Sequence, residues 1–182
     1  MTEITTDFST VDEIYEQNER VRMALLELVE GISDENASMR TEKGDWTVAG
    51  IVEHLAMAEE GMAKVARHLL KKAEEAGAEA DGVGVSDSLT ERLRAWRGSK
   101  GEAPDMVQPT NEKPVAESLA MMAENRRHLE ALREKFASVN GRSQTFPHPI
   151  FGPLTAQDWL ALIGAHESRH VEQIEKIVNR ES

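Results

Sequence analysis

Cysteine is absent from this 182-residue chain. That excludes disulfides, thiolate-ligated zinc, iron–sulfur clusters and any thiol nucleophile supplied by the protein itself. Aromatic residues make up only 4%, with one tyrosine and three tryptophans. Scarce aromatics beside abundant Ala, Glu, Leu, Met and Arg favour helices over a β-sandwich. Positive charge is also short: 21 Lys+Arg face 33 Asp+Glu, a net charge of −12. Such a chain repels phosphate backbones and shows no basic stripe, so nucleic acid is not an expected partner. Long hydrophobic runs are missing as well. The longest, residues 159–165, falls far short of the roughly 20 apolar residues that span a bilayer. Residues 1–10, MTEITTDFST, lack the apolar centre of a secretory leader. A soluble, cytoplasmic protein is the expectation.

What is present is four amphipathic helical patterns on a chain long enough for one domain over residues 1–182. The first runs from Val11 to Val29, with Ile14, Val21, Leu25 and Leu28 on one face, a Thr10/Glu13 capping box and a stop at Gly31. The second follows Thr47 through Val48, Ile51, Leu55, Met62, Val65 and Leu69, fading near Gly77. Pro114 opens the third, which carries Leu119, Met122, Leu129, Leu132 and Phe136 towards Gly141. Thr155 and Asp158 cap the fourth, with Trp159, Leu162, Ile163, Val171, Ile174 and Ile177 facing inward. No segment shows a sustained two-residue alternation. The predicted fold class is therefore all-α, a four-helix bundle.

The connection at 77–113, between the second and third helices, is too long for a plain bundle loop. Ser88 and Glu91, followed by Leu89, Leu93 and Trp96, predict a short amphipathic helix within it. The remainder has the Gly/Pro/polar composition of an irregular segment, able to fold back along the bundle, act as a lid or pack on a partner subunit. Bundle topology stays open, and the connection with the Met-rich third helix admits a homodimer.

Three histidines occupy slots where leucine is expected. His166 and His170 lie in the inward stripe of the fourth helix, and their four-residue spacing puts both rings on one face. His54 sits at the edge of the stripe on the second helix, beside Leu55. Burying three imidazoles costs free energy unless their nitrogens are satisfied. One divalent ion would satisfy three at once, and bundle cores are a recurrent place for such sites. The alternative is ordinary hydrogen bonding of each ring to a carboxylate or a backbone carbonyl.

Residues 166–170 also match H-E-x-x-H, the helix motif of zinc metalloproteases, where the glutamate is a general base. Those enzymes draw a third ligand from further along the chain, and no histidine follows His170. Glu167 is rotated about 100° from His166 on the helix wheel and is expected to face a neighbouring helix or solvent. The pairs Glu59–Glu60 and Glu74–Glu75 read as solvated helix surface.

The run WTVAGIVEHL (46–55), with HPIFGPLT (148–155) leading through Asp158 and Trp159 to HESRH (166–170), resembles the DinB/YfiT-like superfamily of metalloenzymes. The resemblance implies a four-helix bundle with a long second connection. It also implies three ligands, here His54, His166 and His170, for a divalent metal, usually zinc or nickel. Some relatives are transferases or isomerases dependent on a low-molecular-weight thiol, others are hydrolase-like, and many have no known reaction. An ion held by three neutral imidazoles keeps its charge and at least one open position. It can lower the pKa of bound water from about 15.7 to about 7, or hold a thiolate. With no cysteine in the chain, that thiol would be exogenous.

The expectation is thus a metal-dependent transferase or hydrolase acting on a small molecule. Its rival is a non-catalytic binding or assembly module whose metal only holds helices together. His148, in the loop feeding the fourth helix, is the candidate proton-transfer residue, against its reading as a surface residue between two prolines. His68 and His128 lie far along their helices and read as surface or polar core residues. Trp46 and Trp159 are expected to cover the bundle end or to shape a pocket.

Overall fold

Thr10 and Glu13 form the predicted box: Glu13 N–H donates to Thr10 Oγ1 at 3.2 Å, and Glu13 Oε2 accepts from Thr10 N–H at 3.2 Å. From that cap α1 runs over Val11–Val29, with Gly31 beyond its end at φ +72°. The computed structural model describes residues 8–40, 46–78, 85–96, 103–139, 142 and 144–178. Thr47 caps α3 (Val48–Glu75) through Gly50 N–H, and Gly77 beyond it has φ +68°. Between them lies a short helix, α2 (Asp34–Ser38), that the periodicity does not reveal. One turn of helix is too short to display a period.

The third pattern divides. After α5 (Val115–Glu130) the backbone breaks at Ala131 and Leu132, then resumes as α6 (Arg133–Ser138). The predicted stop at Gly141 and residues 1–7 lie outside the described residues. Two three-residue strands, β1 (Phe146–His148) and β2 (Gly152–Leu154), pair antiparallel ahead of α7 (Ala156–Val178). Each contains one proline, and neither is long enough to show alternation. At the start of α7, Asp158 N–H donates to Thr155 Oγ1 at 3.1 Å, and Thr155 N–H donates to Asp158 Oδ2 at 3.0 Å.

Two apolar clusters fill the bundle. One holds Val11 and Ile14 of α1, Met62 to Ala73 of α3, Leu129, Phe136 and the first two turns of α7. The other holds Val21 to Val29, Val48 to Ala56, Met122 and Val171 to Ile177. The ends that meet in each cluster set the topology. α1 and α7 run one way, and α3 and α5 run together the other way. Parallel neighbours cannot share a tight turn, so the long connection must climb the full bundle. It does so through α4 (Asp87–Trp96) and the 3-10 turn η1 (Asp105–Val107). Ser86 ties its start to α7, its N–H donating to Asp158 Oδ1 at 2.8 Å. Leu89 and Leu93 are buried in the first cluster. Leu89 N–H donates to Ser86 Oγ at 3.3 Å, two residues upstream of the expected Ser88; the Ser88 side chain lies outside the described residues.

Between the clusters sits a belt of buried charge. Arg22 of α1 reaches Glu167 at 2.6 Å and Glu59 at 2.8 Å, and Arg126 of α5 reaches the same two carboxylates at 2.5 and 3.0 Å. Two guanidiniums and two carboxylates cancel, which is what allows them below the surface. Glu59 is 2% exposed, so its reading as solvated surface is corrected; Glu60 is half-exposed and paired with Lys64 at 2.8 Å. In sequence Glu59 carries no mark of its partners, which come from α1 and α5.

Candidate metal centre

His54 stands in the second turn of α3, and His166 and His170 stand one turn apart on α7. Antiparallel packing of α3 against α7 brings the three together. One ring nitrogen from each lies within 4.8 Å of the others. His54 Nε2 and His166 Nε2 are 3.1 Å apart, and the ring centroids are separated by 4.7 to 5.0 Å. His54 and His170 are buried and His166 is half-buried.

Hydrogen bonds choose the tautomers. His54 Nδ1 lies 2.8 Å from the Val107 carbonyl, which can only accept, so Nδ1 carries the proton and Nε2 keeps its lone pair. His170 Nδ1 likewise donates to Gln173 Oε1 at 2.9 Å. Burial, reinforced by neighbouring imidazoles, holds the basicity of the set down. His166 is pushed well below the usual histidine range, and His170 is pushed to about 3. Burial also lowers His54, against the opposing pull of Val107. Neutral imidazoles with inward lone pairs are what a divalent ion requires.

The spacing of one pair fits as well. Nitrogens bound tetrahedrally at about 2.0–2.1 Å from zinc lie about 3.3 Å apart, close to the observed His54–His166 separation. No aspartate, glutamate or further histidine joins the cluster among the described residues. Glu167 is turned to Arg22 and Arg126, so the H-E-x-x-H glutamate does not face the histidines and the protease reading fails. Glu53, adjacent to His54, is turned to Thr110 and Asn111.

Aromatic rings wall the centre. Trp46 lies 4.7 Å from His54 and 6.2 Å from His170, while Trp96 of α4 stacks on His166 at 6.5 Å. Arg169 lies over the Trp96 ring at 4.6 Å. Trp46 therefore covers the histidines, while Trp159 is buried in the first apolar cluster beside Phe146 and His148. His148 is not one of the cluster, though it lies near enough to His166 to help lower that ring's pKa. It is half-buried on the hairpin against Phe151, and its Nδ1 accepts from Ile150 N–H at 3.1 Å and Phe151 N–H at 3.3 Å. Burial lowers its pKa. His68 and His128 are on the surface, the latter 3.0 Å from Glu124.

Sequence reasoning missed the groups that aim the rings. Gln173 could have been found, because three residues after His170 it shares that helical face. The Val107 carbonyl could not, since every residue has one and only the path of the connection selects it.

Residues 17–174 match the family model described as the DinB superfamily. The uncharacterized protein YuaE of Bacillus subtilis is 24% identical over 155 residues, covering 82% of this chain and 87% of YuaE. Among solved structures, TT2238, described as a four-helix bundle protein, superposes with a TM-score of 0.62 at 25% identity, over 92% of this chain and 99% of its own. YfiT of Bacillus subtilis, described as "a probable metal-dependent hydrolase with an unusual four-helix bundle topology", gives a TM-score of 0.59 at 22% identity, over 100% of this chain and 91% of its own.

Proposed function

The chain belongs to the DinB superfamily, and we propose from that membership and its three-imidazole centre that it is a metal-dependent, hydrolase-like enzyme acting on a small molecule. The carrying observation is the convergence of His54, His166 and His170 with no carboxylate among them. A divalent ion held there, zinc or nickel, would supply a Lewis acid. His54 and His170 present Nε2 to it because their Nδ1 protons are spent on Val107 and Gln173. Trp46 and Trp96 lie against the imidazoles and offer flat apolar walls to a substrate. The description of YfiT as a hydrolase supports the choice of reaction.

His148 is the proposed proton carrier. Two backbone N–H groups occupy Nδ1, so the ring offers Nε2–H as a donor and takes up a proton only by releasing those bonds. Transfer onto a low-molecular-weight thiol is the second reading, and with no cysteine in the chain that thiol would be exogenous.

Elemental analysis of tag-free protein is expected to show one metal per chain. His166→Ala and His170→Ala should abolish it while keeping helical circular dichroism. Unchanged metal content in both variants would remove the proposal. Activity screens with small esters and amides, then with several small thiols, separate the two reactions.

A further inference from the structure

Thr47, Gly50, Glu53 and His54 lie along one face of the opening turns of α3, and all four meet the end of the long connection. Glu53 is 2% exposed. Its carboxylate accepts from Thr110 N–H at 2.9 Å, Thr110 Oγ1 at 3.0 Å and Asn111 N–H at 3.1 Å. Asn111, at φ +63°, in turn accepts on Oδ1 from Thr47 N–H at 2.8 Å. Gly50 makes room for that side chain, for a Cβ there would stand 2.1 Å from Asn111 Oδ1.

Burying a carboxylate costs free energy that an exposed residue avoids. All of Glu53's hydrogen bonds go to this one segment of the connection. The segment leads directly to His54. Only Gln108 and Pro109 separate Thr110 from Val107, whose carbonyl holds His54 Nδ1 at 2.8 Å. Gln108 is extended at φ −69°, ψ 128°, as the residue before a proline must be. Pro109 fixes its own φ. The link is therefore stiff, and anchoring Thr110 places the Val107 carbonyl.

Resting on the metal-centre reading above, we infer that Glu53 is a positioning residue: by clasping Thr110 and Asn111 it holds the Val107 carbonyl on His54 Nδ1 and aims His54 Nε2 at the other two imidazoles. The connection is thereby part of the centre, and the WTVAGIVEHL run is explained as cap, cavity, clasp and ligand on one helix face.

The test measures zinc affinity by chelator competition, and the visible absorption of the cobalt(II)-loaded protein, for variants first shown to be folded by circular dichroism. Glu53→Ala removes both oxygens to which Thr110 and Asn111 donate and should weaken zinc binding by about 10- to 100-fold, the usual cost of losing a group that orients a ligand. It should also shift the cobalt spectrum. Asn111→Gly suits the positive φ, so it carries no strain, and should move both readouts the same way by less. Gly61→Ala on the same helix, where a Cβ meets nothing within 4 Å, should leave both unchanged. If Glu53→Ala does not fold, Asn111→Gly decides alone. Wild-type affinity and spectrum in the folded variants, while His54→Ala loses its zinc, would overturn the positioning role and leave the metal centre standing. Zinc retained by His54→Ala would overturn both.

Discussion

Glu167 offers the sharpest test of the way the fold has used an enzyme-like motif. In the substitution Glu167→Gln, size is kept and one negative charge is removed from a buried, neutral quartet. The carboxylate now accepts from Arg22 Nε at 2.6 Å, Arg22 Nη2 at 3.4 Å and Arg126 Nη2 at 2.5 Å. A glutamine can accept on one oxygen only, and its N–H groups then face guanidinium donors. Each guanidinium–carboxylate attraction across about 4 Å is worth about 4 kcal/mol at an effective dielectric near 20. Losing two is offset by no longer burying the carboxylate charge. Breaking a buried pair from one side costs about 3–5 kcal/mol net. Unfolding in urea, followed by circular dichroism, would show a midpoint lowered by about 1.5–2.5 M for a slope near 2 kcal/mol/M. Metal content should be unchanged, since the carboxylate faces away from the imidazoles. A midpoint shift under about 0.5 M, or metal lost without a shift, would refute the reasoning.

Two further outcomes follow from the same structure. Tyr15 donates its hydroxyl to the Leu129 carbonyl at 2.6 Å, and burial raises its pKa above the ordinary value. Below about pH 10 the phenol is neutral in both folded and unfolded chains; above it the unfolded chain loses the proton and the folded one keeps it. Stability should then fall by up to about 1.4 kcal/mol per pH unit relative to Tyr15→Phe, and the single tyrosine makes tyrosinate absorbance a clean check. Chelation, finally, should strip the metal and leave helical circular dichroism intact, because two apolar clusters hold the helices without it. Collapse of helicity would favour the structural-ion rival.

How much could be seen in the chain divides along the distance over which each feature is encoded. Capping at Thr10, Thr47 and Thr155 lies within three or four residues of its partner, so helix starts could be read directly. The inward placement of His166 and His170 is a matter of helical period, and that too is local. α2 and the hairpin escaped because each spans too few repeats of its period to display one. Glu59 and Glu167 were misjudged or left undecided because the arginines that neutralise them come from α1 and α5.

By itself, then, the sequence determined four amphipathic helices, their caps and the stripe that carries the histidines, because backbone hydrogen bonding and side-chain period act between near neighbours. The tertiary structure alone decided that α3 and α5 run parallel, that the connection must climb the bundle, and that its Val107 carbonyl meets His54. Those outcomes depend on which apolar faces cover one another, and no local pattern carries that choice. The geometry of the three-histidine cluster belongs with them, for an imidazole is aimed by whatever its second nitrogen finds across the core.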